Sequence, residues 1–251
     1  MPNVRRSPDK KPSRLIPGTR TKRNIPRVLP VDELVDRQPW EKLFPALEKV
    51  GCEPGSVIQR LKLYARLLVT WNRTASNLIS RNDETRLVER HLLECIEPAH
   101  WLKASGASRW LDFGTWAGLP GIPLALVGVG PDWTLVEARR TKTLFLLKTL
   151  PEIGLKSVVI SNTRLEHMTK LPDTVPRYAG FVSRATVRLC PTLDLARHLV
   201  IPGGSAFLWK GSSRGQEILD ESHWRAFWEP SGTVAVGTSH AVVARFIRTT
   251  T

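Results

Sequence analysis

From Arg109 onward the chain alternates short apolar runs with segments long enough for a helix, and this rhythm restricts the fold more than any other feature. The runs are Trp110–Phe113, Thr134–Val136, Val158–Ile160, Phe181–Val182 and Ala206–Trp209. Strands that alternate with helices predict an α/β architecture, a mostly parallel sheet with helices on both faces. Two further runs, Thr233–Val236 and Ala241–Ile247, follow one another too closely for a crossover helix and predict an antiparallel edge. Ahead of the alternation, Ile58, Leu61, Tyr64, Leu68 and Trp71 recur at helical spacing, as do Leu87, Val88, His91, Leu92, Cys95 and Ile96 before Pro98. The predicted organisation is a basic arm over 1–30, an N-terminal helical extension over 31–105 and an α/β domain over 106–251. A further helix is expected over Thr192–Val200.

Charge narrows the function. The 251 residues carry a formal +14. Residues 1–30 contribute +8 of it, from nine Lys and Arg against the single acid Asp9. Prolines at 2, 8, 12, 17, 26 and 30 deny that segment regular structure, so it is predicted to be disordered. A basic arm on a basic domain suits a polyanion, because each phosphate contact releases counterions. The arm is acid-poor like a mitochondrial leader but lacks the apolar face of one. Cys52, Cys95 and Cys190 form no C-x-x-C pair, which argues against a zinc site or disulfide framework and fits a reducing cytoplasm. No apolar run is long enough to span a membrane. Neither a metal nor a membrane partner is expected.

The first predicted strand-to-helix turn, Trp110 to Gly121, lies where open α/β sheets bind ligands. Gly114 and Gly118 would let backbone approach a ligand closely. Asp112 precedes the turn, and Glu137 ends the next strand 25 residues on. A carboxylate there accepts the ribose hydroxyls of an adenosine, in a methyltransferase as in an NAD enzyme. Gly-x-Gly-x-x-Gly and Tyr-x-x-x-Lys are absent, which disfavours a nicotinamide-dependent oxidoreductase.

From Tyr64 to Gly211 the chain resembles the bacterial small-subunit (16S) ribosomal RNA guanine-N7 methyltransferases, the RsmG or GidB family. The resemblance is carried by Trp71-Asn72 with Asn77-Leu78, His91-Leu-Leu-Glu94, Asp112-Phe-Gly-Thr-Trp-Ala-Gly-Leu-Pro-Gly-Ile-Pro123, Leu135-Val-Glu137, Phe145-Leu146, Arg164-Leu-Glu166, Ser183-Arg-Ala185 and Lys210-Gly211. It implies a Rossmann-like class I methyltransferase, S-adenosylmethionine as cofactor, and a 16S ribosomal RNA or 30S subunit substrate modified at one guanosine, that of the 530 loop. It further implies that Gly114 and Leu119 line the cofactor's amino-acid end and that Leu165 and Glu166 flank the adenine. Arg184 would lie beside the methionine carboxylate and the incoming base, as the catalytic residue. A cytoplasmic monomer is the expectation that goes with it. Three departures stand out: Trp116 replaces a usual glycine, Thr141 stands where a lysine usually begins the second helix, and Glu94 and Glu137 replace common aspartates.

Guanine N7 has an in-plane lone pair and no proton to lose, so its methylation needs positioning and electrostatic support rather than a strong base. The chain lacks the Asn/Asp-Pro-Pro-aromatic tetrapeptide of amino-directed enzymes. Cys190-Pro191 resembles the nucleophile of cytosine-C5 enzymes, but Pro191 in a helix's first turn makes a structural cysteine the better reading. His91, Arg139, Lys142 and Lys210 are the candidate RNA contacts, with Arg140 beside them; Asn77 reads as a turn or cap residue. The rival reading is a catalytically weakened RNA-binding protein on a methyltransferase scaffold, motivated by Trp116 and Thr141.

Overall fold

A computed structural model describes residues 28–170, 177–184, 188–211, 223–237 and 241–250. Most of the arm therefore lies outside the described residues. Its last three residues are described, and they are tied down: the Leu29 carbonyl accepts from Arg73 Nη1 at 2.7 Å and Leu29 packs against the core. The arm expected over 1–30 thus gives way to ordered chain by residue 28.

The extension folds as α1 (Val31–Asp36), α2 (Phe44–Val50), α3 (Pro54–Thr74), α4 (Arg81–Glu84), a π-helical turn (Val88–Leu92), α5 (Leu93–Ile96) and α6 (Ala99–Lys103). The chain offers punctuation where α2 ends and the longest helix, α3, begins. Gly51, at φ 77°, closes α2 in the left-handed conformation that glycine adopts most readily. The Glu53 carboxylate then caps α3 by accepting from the Gly55 and Ser56 amides, with Pro54 in the first turn where its missing N–H costs nothing.

The alternation that follows is β1 (Arg109–Phe113), α7 (Gly121–Leu126), β2 (Asp132–Val136), α8 (Arg140–Glu152), β3 (Val158–Ser161), α9 (Leu165–Met168), β4 (Tyr178–Arg184), α10 (Leu189–Ala196), β5 (Val200–Lys210), β6 (Trp228–Ala235) and β7 (Val242–Arg248). The sheet order is β3-β2-β1-β4-β5-β7-β6. The first five strands are parallel and β7 is antiparallel to both β5 and β6, which is the predicted antiparallel edge. Strand residues alternate between two cores. Trp110, Leu135, Val182, Phe207 and Val243 join α7, α8 and the whole helical extension in one continuous cluster. Leu111, Val136, Phe181, Leu208 and Phe246 join α9 and α10 in the other.

Some boundaries differ from expectation. The helix expected over Thr192–Val200 runs from Leu189 to Ala196, with Arg188 as extended N-cap, so Pro191 still falls in the first turn. Strand β6 begins at Trp228 rather than Thr233, because Pro230 and Gly232 enter it through a register shift that hides the alternation. No helix among the described residues is long and apolar enough to cross a membrane.

Candidate functional site

The carboxyl ends of β1, β2 and β4 converge under the π-helical turn and the 77–80 loop. Asp112 sets the first turn. It is fully buried, and its Oδ2 accepts from Thr115 Oγ1 at 2.6 Å and from the Gly121 amide at 2.8 Å. Its Oδ1 is buried with no partner among the described residues. Burial raises this carboxyl to about 7, against the lowering pull of those two hydrogen bonds and of Arg184. Gly114 and Gly118 both take positive φ, 67° and 93°. For Gly118 the need is packing: a Cβ would stand 2.2 Å from Ile122 Cδ1, so its glycine serves the turn's own core rather than a ligand's approach.

Glu137, directly after β2, is buried with its carboxylate between two loops. Oε2 accepts from the Trp116 amide at 3.2 Å and Oε1 from the Arg139 amide at 2.7 Å. Asn162 holds its carbonyl at 2.8 Å, fixing the end of β2. Leu119 is buried in the wall of a hollow of about 220 Å³, which also touches Ser80, His91, Trp116 and Arg184. Leu165 and Glu166 open α9. The Leu165 side chain is fully buried in the second core, whereas Glu166 is exposed.

Arg184, the last residue of β4, is the hub. Its Nη2 donates to Glu94 Oε2 at 2.7 Å and to the Arg90 carbonyl at 2.8 Å, and lies 3.4 Å from His91 Nδ1. Glu94 also pairs with Arg90 at 2.7 Å, and its own backbone carbonyl accepts from Trp209 Nε1. A guanidinium can only donate, so the Arg184 contact favours His91 with Nδ1 as acceptor. The His91 Nε2 is buried without a hydrogen-bond partner among the described residues, 3.7 Å from Asp83. Burial first, then the charge of Arg184, pushes His91 down to about 4, so it is neutral at physiological pH. His91 lies within the π turn, a distortion that concentrates at functional sites.

The remaining RNA candidates divide. Arg139 and Arg140 are exposed at the start of α8, and Lys210 ends β5 at the same sheet edge. Lys142 is buried instead, its Nζ 3.5 Å from the centroid of the Trp116 ring, because the indole folds over it. The structure does not present Lys142 to a phosphate. Trp116 itself is 46% exposed and holds φ 55°, a region that bulky residues rarely enter. Asn77 is exposed, and the loop it begins is shaped from below. Asn72 Oδ1 accepts from the Leu78 and Ile79 amides at 2.7 and 3.0 Å, while Asn72 Nδ2 donates to buried Glu84. Tyr64 donates to the Ala117 carbonyl at 2.8 Å and steadies the glycine turn. Sequence reasoning gave no such roles to Asn72, Glu84 or Tyr64. For Tyr64 and Asn72 the available signal was a polar side chain inside an apolar helical stripe, which must find a partner once buried; the polar turn Arg81–Glu84 gave none for Glu84.

Comparison with known proteins agrees with this geometry. Residues 57–232 match the family model GidB, described as rRNA small subunit methyltransferase G. A protein of Cellvibrio japonicus named Ribosomal RNA small subunit methyltransferase G is 32% identical over 182 residues, covering 71% of this chain and 81% of that protein. One of the same name from Burkholderia multivorans is 34% identical over 161 residues, covering 63% and 69%. Among solved structures, the proposed methyltransferase yhhF of Escherichia coli superposes with a TM-score of 0.52 at 14% identity, covering 63% of this chain and 87% of that one. A proposed O-methyltransferase of Klebsiella pneumoniae gives 0.50 at 13%, covering 74% and 90%. At such identities these structures speak for the fold alone, that of class I methyltransferases.

Proposed function

This chain belongs to the GidB family, rRNA small subunit methyltransferase G, and on that premise we propose that it transfers a methyl group from S-adenosylmethionine to N7 of a guanosine in 16S ribosomal RNA. The observation that carries the cofactor is Glu137. Each of its carboxylate oxygens takes one backbone N–H, which leaves lone pairs for two ribose hydroxyls at the sheet's carboxyl edge. The residues fit the rest of the group as well. The glycine turn gives backbone approach at Gly114, and Leu119 offers an apolar wall.

When bound, S-adenosylmethionine supplies an electrophilic methyl on a sulfonium. The chain's own groups do the positioning. Arg184, fixed by Glu94 and the Arg90 carbonyl, faces the same hollow as His91 and can hold an anionic carboxylate at its rim. His91 stays neutral and lines the hollow beside Arg184, its Nε2 buried 3.7 Å from Asp83, so it adds an uncharged wall rather than a second cation. No general base is required, since N7 carries no proton. Exposed Arg139 and Arg140, with Lys210, supply the cations that an RNA backbone needs nearby.

Unmethylated 30S subunits incubated with radiolabelled S-adenosylmethionine should take label into 16S RNA, at a guanosine that becomes cleavable by borohydride and aniline. Label at another atom would refute N7, and RNA binding without transfer would favour the weakened-enzyme reading. Glu137→Ala should weaken cofactor binding by roughly 1–3 kcal/mol, the cost of unpaired hydroxyls. Calorimetry with unchanged affinity would remove Glu137 from the site.

A further inference from the structure

We infer that Trp116 is a stacking wall for a base of the RNA, which lies on the indole surface that Lys142 leaves open; this rests on the reading above that RNA is the substrate. The backbone at Trp116 sits at φ 55°, where glycine would be free of strain. A bulky side chain held in such a conformation marks a position that function over-determines. Burial does not repay it, because the residue remains 46% exposed.

The indole is nevertheless fixed. Lys142 Nζ lies over its ring at 3.5 Å from the centroid, and the Trp116 amide is bound to Glu137. The ring lines two hollows that share the 78–80 loop. One, of about 220 Å³, reaches His91 and Arg184; the other, of about 310 Å³, is lined by Asn77, Ser80 and Arg81. A flat aromatic wall in two hollows that each have a guanidinium in their lining, Arg90 in one and Arg81 in the other, is the combination that captures an unstacked base and its flanking phosphates.

Trp116→Gly removes the ring and relieves the backbone, so loss of function need not mean loss of fold. It should melt no lower than the wild type, raise KM for 30S subunits roughly 5- to 100-fold, and leave the affinity for S-adenosylmethionine unchanged. Trp116→Phe should keep most of the wild-type KM. An unchanged RNA KM in Trp116→Gly would overturn the inference. So would weaker cofactor binding alone, which would make the indole a cofactor cover, or a lower melting temperature, which would make it a packing residue. If the wild type transfers no methyl group, the functional reading fails on its own. The stacking role is then decided by anisotropy with a fluorescein-labelled single-stranded RNA: tighter binding by wild type than by Trp116→Gly sustains it, and equal binding ends it.

Discussion

The two faces of the sheet bury different chemistry. On the face toward the helical extension lie all five buried residues of charged type among the described residues, Glu84, Glu94, Asp112, Glu137 and Lys142, along with most of Arg184. The face toward α9 and α10 is filled by Leu193, Phe181, Phe246, Trp224 and Trp228, with buried Ser183 and Thr192 as its small polar groups. An uncompensated buried charge is costly, and a folded chain gains nothing in stability by concentrating five on one side. The asymmetry separates a face that carries buried charge from one built on apolar packing, where the titratable contact of Cys190, His223 and Asp194 is confined to the rim of α10.

The sharpest way to break this comparison is to remove Glu94. Glu94→Ala leaves Arg184 and Arg90 without their carboxylate, at side-chain exposures of 12% for Arg184 and 4% for the acid removed. The expected loss is about 3–5 kcal/mol in urea denaturation, together with methyl transfer. A loss below about 1 kcal/mol would show that water already serves the guanidinium. On the other face, Leu193→Ala should cost about 3 kcal/mol through the cavity it leaves. Leu193 is fully buried, and its carbonyl bond from Trp228 survives the change. Cofactor affinity of the folded fraction should not move. A matching loss of affinity would mean that the two faces are coupled and the division is false.

The difference between the faces also explains what could be read from sequence. Apolar runs and helical stripes report packing, so the strands of both faces and the long helix through Ile58–Trp71 were legible. Motif resemblance reached Asp112, Glu137 and Arg184. It could not reach the pairing of Arg184 with Glu94, 90 residues apart, because that contact exists only once β4 lies beside β1 and the extension closes over it. Local charge puts Lys142 in a basic surface at the start of α8. Its burial depends on the left-handed turn at Trp116, which no local pattern announces. The π turn at Val88–Leu92 is likewise invisible to a 3.6-residue period.

Two buried groups of the cleft side should also leave opposite marks on the pH dependence of stability. Asp112 is raised to about 7, so the folded state keeps a proton that the unfolded chain releases above about 4. Its contribution is complete below pH 4 and is lost as pH rises to 7. His91, lowered to about 4, refuses a proton that the unfolded chain takes up below about 6.5, so its contribution is lost as pH falls through that window. Asp112→Asn retains an acceptor for Thr115 and Gly121 and abolishes the first effect. Relative to wild type it should gain about 3 kcal/mol between pH 4 and 7, since each unit of the shift is worth about 1.4 kcal/mol. Parallel pH curves for the two proteins would place Asp112 in contact with water.

The smallest effect on stability, and the finest division, concerns the basic arm. Its nine cations and one acid lie within residues 1–27, whereas Leu29 is bonded to Arg73, which also pairs with Glu84 beneath the 77–80 loop. The arm's charge lies in 1–27 and the Leu29 anchor lies beyond it, so two truncations test them separately. Removing 1–27 should leave the melting temperature and cofactor affinity unchanged while flattening the salt dependence of RNA binding, by about one unit of log–log slope for every phosphate the arm neutralises. Removing 1–30 should flatten it equally and also cost about 1 kcal/mol, because a part-buried guanidinium is deprived of its carbonyl. The target nucleotide should not change in either, since phosphate contacts carry no base identity. An undiminished salt slope in the shorter truncation would make the arm inert toward RNA. A shorter truncation that lowered the melting temperature would mean that the arm packs on the helical extension, and the boundary at residue 28 would have to move toward the N-terminus.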